Sequence, residues 1–249
     1  MPVLIEMRLK ASWMVRPDTR QLHGLACALF ENAGSGSGHF GHEKPFAVWP
    51  LRPAPGGAEN EWAWRAAWLP EGTPPPGALE TDVLRIGHVR CAVTEITQHR
   101  VPHARLADKS AVRSITASFR SPTYFSQNGT DVVVPDPRLI AGSWRRRWNS
   151  SLPEGDPLVI GDDAWRETLQ ALRLATFDLR TETRDSGHGR DRTGFTGSAT
   201  LRLKRDAPAV AGMVLGTLAR FAEYCGTGAQ TTHGFGATTV SPVPGGGSG

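Results

Sequence analysis

Three cysteines in 249 residues, Cys27, Cys91 and Cys225, are too few and too widely spaced for a disulfide framework or a Cys-x-x-Cys metal knuckle. No apolar run approaches the roughly 20 residues that a bilayer-spanning helix needs. From Met1 to Ala11 apolar residues alternate with charged ones, which is not the pattern of a secretory leader. The expectation is a soluble chain in a reducing cytoplasm, with no membrane partner. No acidic or cysteine cluster accompanies the histidines, so neither a metal site nor a cofactor is expected.

The net charge of +4 is mild, but its distribution is uneven. Arg145, Arg146 and Arg147 are consecutive, and Arg180, Arg184, Arg190, Arg192, Arg202, Lys204 and Arg205 crowd a later stretch. Basic surfaces of this kind attract polyanions through charge neutralisation and counterion release. A nucleic acid is the leading partner, against a solvated basic face that binds nothing. Three successive arginines on a helix point about 100° apart, so two of the three are expected to reach such a partner.

Ile5, Met7, Leu9 and Ala11 alternate with charged residues and predict a half-buried strand. Leu22, Leu25, Ala26, Leu29 and Phe30 recur at helical spacing and predict a helix over 18–33, with Asp18 near its start. Residues 46–51 and 62–69 read as strands, the latter with Trp62, Trp64 and Trp68 on one buried parity. A short helix over 78–86 and a strand over 89–96 complete a strand-helix-strand-strand-helix-strand order, the ferredoxin-like plan.

The order then recurs as a pattern of elements, without residue-level self-similarity. A strand over 114–119 leads to a helix that Asp136-Pro137 opens, running to about Asn149, and a second helical stretch lies near 163–172. A hairpin over 174–181 and 198–204 follows, then an amphipathic helix from Val210 to Cys225 and a closing strand at 238–240. The fold class is therefore α+β, two tandem ferredoxin-like units over 1–104 and 105–243, with a glycine-rich tail at 244–249.

The run from Tyr224 to Gly236 holds Gly226, Gly228, Gly234 and Gly236 together with Gln230, Thr231 and His233. Glycines allow a backbone to turn and to approach a ligand closely, and exposed amides in such a loop can hold phosphates. The run is neither a Walker loop nor a dinucleotide fingerprint, because its glycines follow a helix and no Gly-Lys-Ser/Thr is present. Its plainer reading is a helix C-cap and a tight turn. His233 either touches the ligand or fills the turn. His23, beside the helix stripe, reads as a surface or capping residue. His99 and His103 are four apart, but Pro102 argues against one helical face.

Gly226-x-Gly228-x-x-Thr231-x-x-Gly234-Phe235-Gly236 resembles the C-terminal glycine-rich loop of the RAMP superfamily of CRISPR-associated RNA-binding proteins. Phe119-Arg120-Ser121-Pro122-Thr123-Tyr124-Phe125, Pro135-x-Pro137, Arg147-Trp148-Asn149 and Gly194-Phe195-Thr196-Gly197 follow in an order similar to the CRISPR repeat endoribonucleases of that superfamily. Lys44-Pro45-Phe46 fits as well, although Trp49 stands where those enzymes usually have serine. Each motif is short; together and in order, between about residues 1 and 240, they are specific.

The resemblance implies two tandem ferredoxin-like units and metal-independent cleavage of precursor CRISPR RNA. The 2′-OH attacks the adjacent phosphate and leaves 2′,3′-cyclic phosphate and 5′-OH ends. Such chemistry suits a histidine as acid or base and a cation beside the phosphate. The family's histidine lies between the first helix and the second strand, where this chain has His39 and His42. Family-like spacing before Lys44-Pro45-Phe46 favours His39, with His42 second, and Lys44 is the candidate cation. The first-helix tyrosine of some members has no counterpart, since the chain has only Tyr124 and Tyr224. Arg184, Arg190 and Arg192 lie in the hairpin that often meets RNA in this family. Implied partners are CRISPR repeat RNA, other effector-complex subunits and a second copy of the chain. One rival is a non-catalytic guide-RNA-binding subunit of the same superfamily; another is an enzyme acting on a phosphorylated small molecule.

Overall fold

The computed structural model describes residues 1–12, 15, 17–31, 44–108, 110–185 and 191–242. The first sheet contains β1 (Val3–Ala11), β2 (Phe46–Val48), β3 (Arg52–Pro53), β4 (Glu61–Trp68), β5 (Val83–Ile86) and β6 (Val89–Arg100). Its order is β2-β4-β1-β6-β5, with β3 also paired to β4 and all pairings antiparallel. One helix, α1 (Thr19–Phe30), covers its inner face. Ile5, Met7 and Leu9 from β1, Leu22, Leu25 and Phe30 from α1, and Trp64 and Trp68 from β4 form this core. Period two places the β1 residues on one face, and the three-and-four spacing does the same for α1. A capping box starts α1: the Asp18 carboxylate accepts from the Gln21 amide at 2.7 Å, and the Gln21 side chain accepts from the Asp18 amide at 3.3 Å.

The second sheet contains β7 (Ser114–Thr123), β10 (Leu172–Asp185), β11 (Asp191–Leu203) and β12 (Thr238–Pro242), in the order β10-β11-β7-β12. A small hairpin, β8 (Phe125–Gln127) and β9 (Thr130–Val132), stands apart. The helices are α2 (His103–Leu106), α3 (Pro137–Ser151), α4 (Asp162–Ala171) and α5 (Ala209–Cys225). Asp136 caps α3 by accepting from the amides of Arg138 and Leu139, with Pro137 at the first helical position. Trp144, Trp148, Leu215, Leu218 and Phe221 pack on Ile115, Ala117, Phe119 and Leu201 of the sheet.

Counting β1, β2, β4 and β6 as the four strands of the ferredoxin-like plan gives the spatial order second, third, first, fourth. The strands β7, β10, β11 and β12 give the same order. The fold is two ferredoxin-like units in tandem. The expected helix over 78–86 is a correction. A 3-10 turn spans Pro76–Ala78, and Val83–Ile86 forms β5, hairpinned to β6 through Gly87 and His88. Its burial alternates exposed and buried, so the strand period prevails there over the helical one. Leu4, Ala67 and Leu69 of the first sheet join the core of the second unit, so the two units share a packed seam.

Candidate functional site

The glycine-rich run leaves α5 and folds back along β7. Gly228 and Gly236 have positive φ, at 79° and 67°. A Cβ on Gly228 would collide with the Tyr124 carbonyl oxygen, and one on Gly236 with the Thr227 carbonyl oxygen. Glycine is required here for backbone-to-backbone packing inside the protein. The Gly236 amide donates to the Pro122 carbonyl at 3.0 Å, the Ala229 amide to the Tyr124 carbonyl at 2.8 Å, and the Ala237 amide to Ser121 Oγ at 2.9 Å. The segment from Phe119 to Phe125 and the glycine loop, two separate signals in the sequence, are therefore hydrogen-bonding partners. From α3, Trp144 Nε1 donates to Thr227 Oγ1 at 2.8 Å, and Ser143 Oγ accepts from the Gly228 amide at 3.1 Å.

This corrects the phosphate-cradle expectation for much of the loop. The amides of Gly226, Thr227, Gly228, Ala229, Phe235 and Gly236 all donate within the protein. Gly226, Gly234 and Gly236 are buried, as is Thr231. Gln230, Thr232 and His233 are half-buried, and this end of the loop reaches the first unit.

There the 3-10 turn Thr231–His233 packs on α1 and β2. The ring of His233 stacks on that of His23 from α1, with centroids 3.9 Å apart and planes 8° from parallel. His23 Nδ1 lies 3.1 Å from the Thr232 carbonyl oxygen, which can only accept, so Nδ1 donates. Cys27 Sγ is 3.5 Å from His23 Nε2. Burial, then the charge of Glu31, pushes the Cys27 thiol up to about 11, so it stays a thiol. The Phe46 ring of β2 lies 6.1 Å from His23 and 5.3 Å from Phe30. Thr19, at the start of α1, donates to the Asp185 carbonyl at the end of β10 at 3.5 Å. Helix α1, the tip of the glycine loop, the start of β2 and the β10–β11 hairpin thus converge.

Lys44 stands at the edge of this convergence. Its Nζ is 2.6 Å from Glu31 Oε1, a pair that joins the residue after α1 to a residue two positions before β2. The Glu31 hydrogen bond holds the Lys44 ammonium above its usual value. Burial pushes the Glu31 carboxyl up, but the hydrogen bonds from Lys44 and Cys27 outweigh it and hold the carboxyl low. His39 and His42 fall between these two residues in sequence and lie outside the described residues, as does Arg190.

The arginines divide sharply. Arg147 is a correction: it is buried in the seam, donating to the backbone carbonyls of Lys44 and Phe46 at 3.2 and 2.8 Å. Arg145 is held within its own unit by the Ile160 carbonyl and Asp162, with its guanidinium 5.3 Å from the Trp165 ring. Arg146 is exposed and lines a groove with Arg138, Gln127, Phe125, Gly228 and Ala229. Arg184 pairs with Glu182 at 3.2 Å, and Arg192 with Asp131 at 2.6 Å, which ties β11 to the β8–β9 hairpin. Both tyrosines are buried, which pushes their hydroxyls up to about 12 and removes them as acids or bases near neutrality. Among the described residues no group of three or more His, Cys, Asp and Glu is placed to hold a metal ion, and no helix is long and apolar enough to cross a membrane.

Sequence reasoning missed His23. It reads as a helix-surface residue because its neighbour 210 positions along the chain is invisible to periodicity. The available signal was its place on the helix leading to His39 and His42.

Comparison with known proteins agrees with this arrangement. The family model for the CRISPR-associated endoribonuclease Cas6 matches residues 117–238, from β7 through the glycine loop to β12. The CRISPR-associated endoribonucleases Cas6 of two Mycobacterium tuberculosis strains are 31% identical over 166 residues, which cover 64% of this chain and 50% of theirs. The chain thus spans about half the length of the curated relatives it matches. The product complex of a Thermus thermophilus Cas6 superposes with a TM-score of 0.82 at 27% identity, covering 97% of this chain and 100% of that one. A second Cas6 product complex gives a TM-score of 0.76 at 26% identity, covering 96% and 99%. With the same tandem fold over nearly the whole length, and with the glycine loop and its β7 partner segment inside the matched region, the chain is similar to the CRISPR-associated endoribonuclease Cas6 family.

Proposed function

We propose that this protein is an endoribonuclease that cuts precursor CRISPR RNA within its repeats, by metal-independent attack of a 2′-OH on the adjacent phosphate. The carrying observation is the convergence at the seam. A stacked histidine pair from opposite units, His23 and His233, sits beside the Lys44–Glu31 pair that flanks, in sequence, the stretch with His39 and His42. In this reading one imidazole takes the proton of the 2′-OH and another returns one to the 5′-oxygen, while a cation offsets the charge on the phosphate. His39 and His42 are the acid-base candidates, with His23 Nε2 a third, and Lys44 is the candidate cation. Product and substrate-mimic complexes of related Cas6 proteins support an RNA substrate. Division of the chain near residue 104 belongs to the same proposal, supported by the separate sheets. So do the further partners, effector-complex subunits and a second copy of the chain.

The test is incubation in EDTA with the repeat RNA of the source organism, and with the same RNA carrying a 2′-deoxy at the cut. Cleavage of the first alone, with cyclic phosphate on the product, is expected. His23→Ala, His39→Ala and His42→Ala then identify the catalytic imidazoles. Tight binding without cleavage would leave the RNA-binding subunit reading, and cleavage that EDTA abolishes would overturn metal independence.

A further inference from the structure

Arg147 is only 8% exposed, although it carries a charge that prefers water. It projects from α3 in the second unit and its fork ends on the first, Nη1 on the Lys44 carbonyl and Nη2 on the Phe46 carbonyl. Strand β2 is the edge of its sheet, paired to β4 on one side. Carbonyls on an open edge have no strand partner, and the guanidinium takes that place. Residues 44 and 46 are one strand repeat apart, about 6.6 Å, a span that a planar two-nitrogen fork bridges and a single ammonium does not.

Two side chains hang from the backbone that Arg147 holds. Lys44 carries the ammonium paired with Glu31. Phe46 packs between Phe30 and His23, and His23 in turn stacks on His233. We infer that Arg147 is a positioning residue for RNA cleavage: it never touches RNA, and it fixes β2 so that Lys44 and the His23–His233 pair keep their places. The inference rests on the cleavage reading above.

Single-turnover cleavage at saturating protein, alongside RNA affinity, tests it with wild type, Arg147→Ala and Arg147→Lys in EDTA. Loss of position should slow Arg147→Ala by about 10- to 100-fold, the scale of a roughly 1 Å misplacement of reacting groups. Its Kd for RNA should stay within about threefold, since no phosphate contact is lost. Arg147→Lys should be nearly as slow, because it keeps the charge and loses the fork. Millimolar guanidinium, far below denaturing levels, should restore part of the Arg147→Ala rate and leave wild type unchanged. A merely structural role would not produce that rescue. If Arg147→Ala does not fold, Arg147→Lys carries the comparison. Wild-type cleavage rates in either folded variant would overturn the inference. So would a fall in affinity that accounts for the whole loss of rate, which would make Arg147 an RNA ligand. A wild-type protein that binds RNA and never cuts it sinks the function itself, and that shows before any variant is measured.

Discussion

His103 donates from Nδ1 to Glu71 Oε1 across 2.5 Å, and this bond ties the turn after β4 to the first residue of α2. The carboxylate accepts only, so the proton sits on Nδ1. His103 Nε2 is 2.9 Å from Ser151 Oγ, at the end of α3, and the ring packs edge-on against Trp148. Three elements of two units meet on one fully buried imidazole.

Burial, partly opposed by Glu71, lowers the His103 pKa below its value of 6.5. Between the lower folded value and 6.5 the folded protein keeps the ring neutral where the unfolded chain protonates it. Above pH 6.5 the network contributes its full stability, and this is lost as the pH falls through 6.5 toward the lower folded value. Urea unfolding between pH 7.5 and 5, taken as about the range of histidine titration, should show that decline in wild type and a smaller one in His103→Phe. Identical slopes would mean another group carries the dependence. His103→Ala should cost about 2–4 kcal/mol, from the cavity and the two lost hydrogen bonds.

The glycine loop gives a second prediction, because its residues stand against backbone. Gly236→Ala places a methyl on the Thr227 carbonyl at positive φ. Left-handed strain and overpacking together should cost at least about 2–3 kcal/mol. Thermal unfolding should show it, and below its melting temperature the variant should bind RNA with little change. A variant of normal stability that has lost RNA binding would return Gly236 to the nucleic-acid interface.

Much of this was legible in the sequence. The alternation in β1, the stripe of α1 and the Asp136-Pro137 start of α3 are local signals, and each element stands where its pattern predicts. The helix expected over 78–86 failed because Val83–Ile86 is a four-residue stretch whose period is decided by its pairing with β6. The site was harder to read. The glycine motif marks a place in the fold, yet spacing cannot tell whether its amides face a phosphate or the carbonyls of β7. Nor can charge runs tell Arg147, buried between carbonyls, from Arg146 in solvent. Those distinctions arise between residues a hundred or more positions apart.

Arg145 and Arg146 are neighbours on α3 and should behave in opposite ways. Arg145 bonds to the Ile160 carbonyl at 3.0 Å and to Asp162 at 2.6 Å, so it holds the loop before α4. Arg145→Ala should lower stability by about 1–3 kcal/mol, the range for hydrogen bonds involving a charge, and leave RNA affinity nearly unchanged. Arg146 and Arg138 share the groove beside Gly228, where the proposed RNA backbone would run. Arg146→Ala and Arg138→Ala should each weaken binding to all RNA sequences alike. Each should also flatten the plot of log affinity against log salt by about 0.7–0.9 for every phosphate contact removed. Melting temperatures near wild type are expected for both, since surface substitutions of this kind usually stay within about 0.5 kcal/mol. Salt titrations of binding for the three variants decide the matter. A flattened slope for Arg145→Ala with none for Arg146→Ala would move the interface to the opposite side of α3.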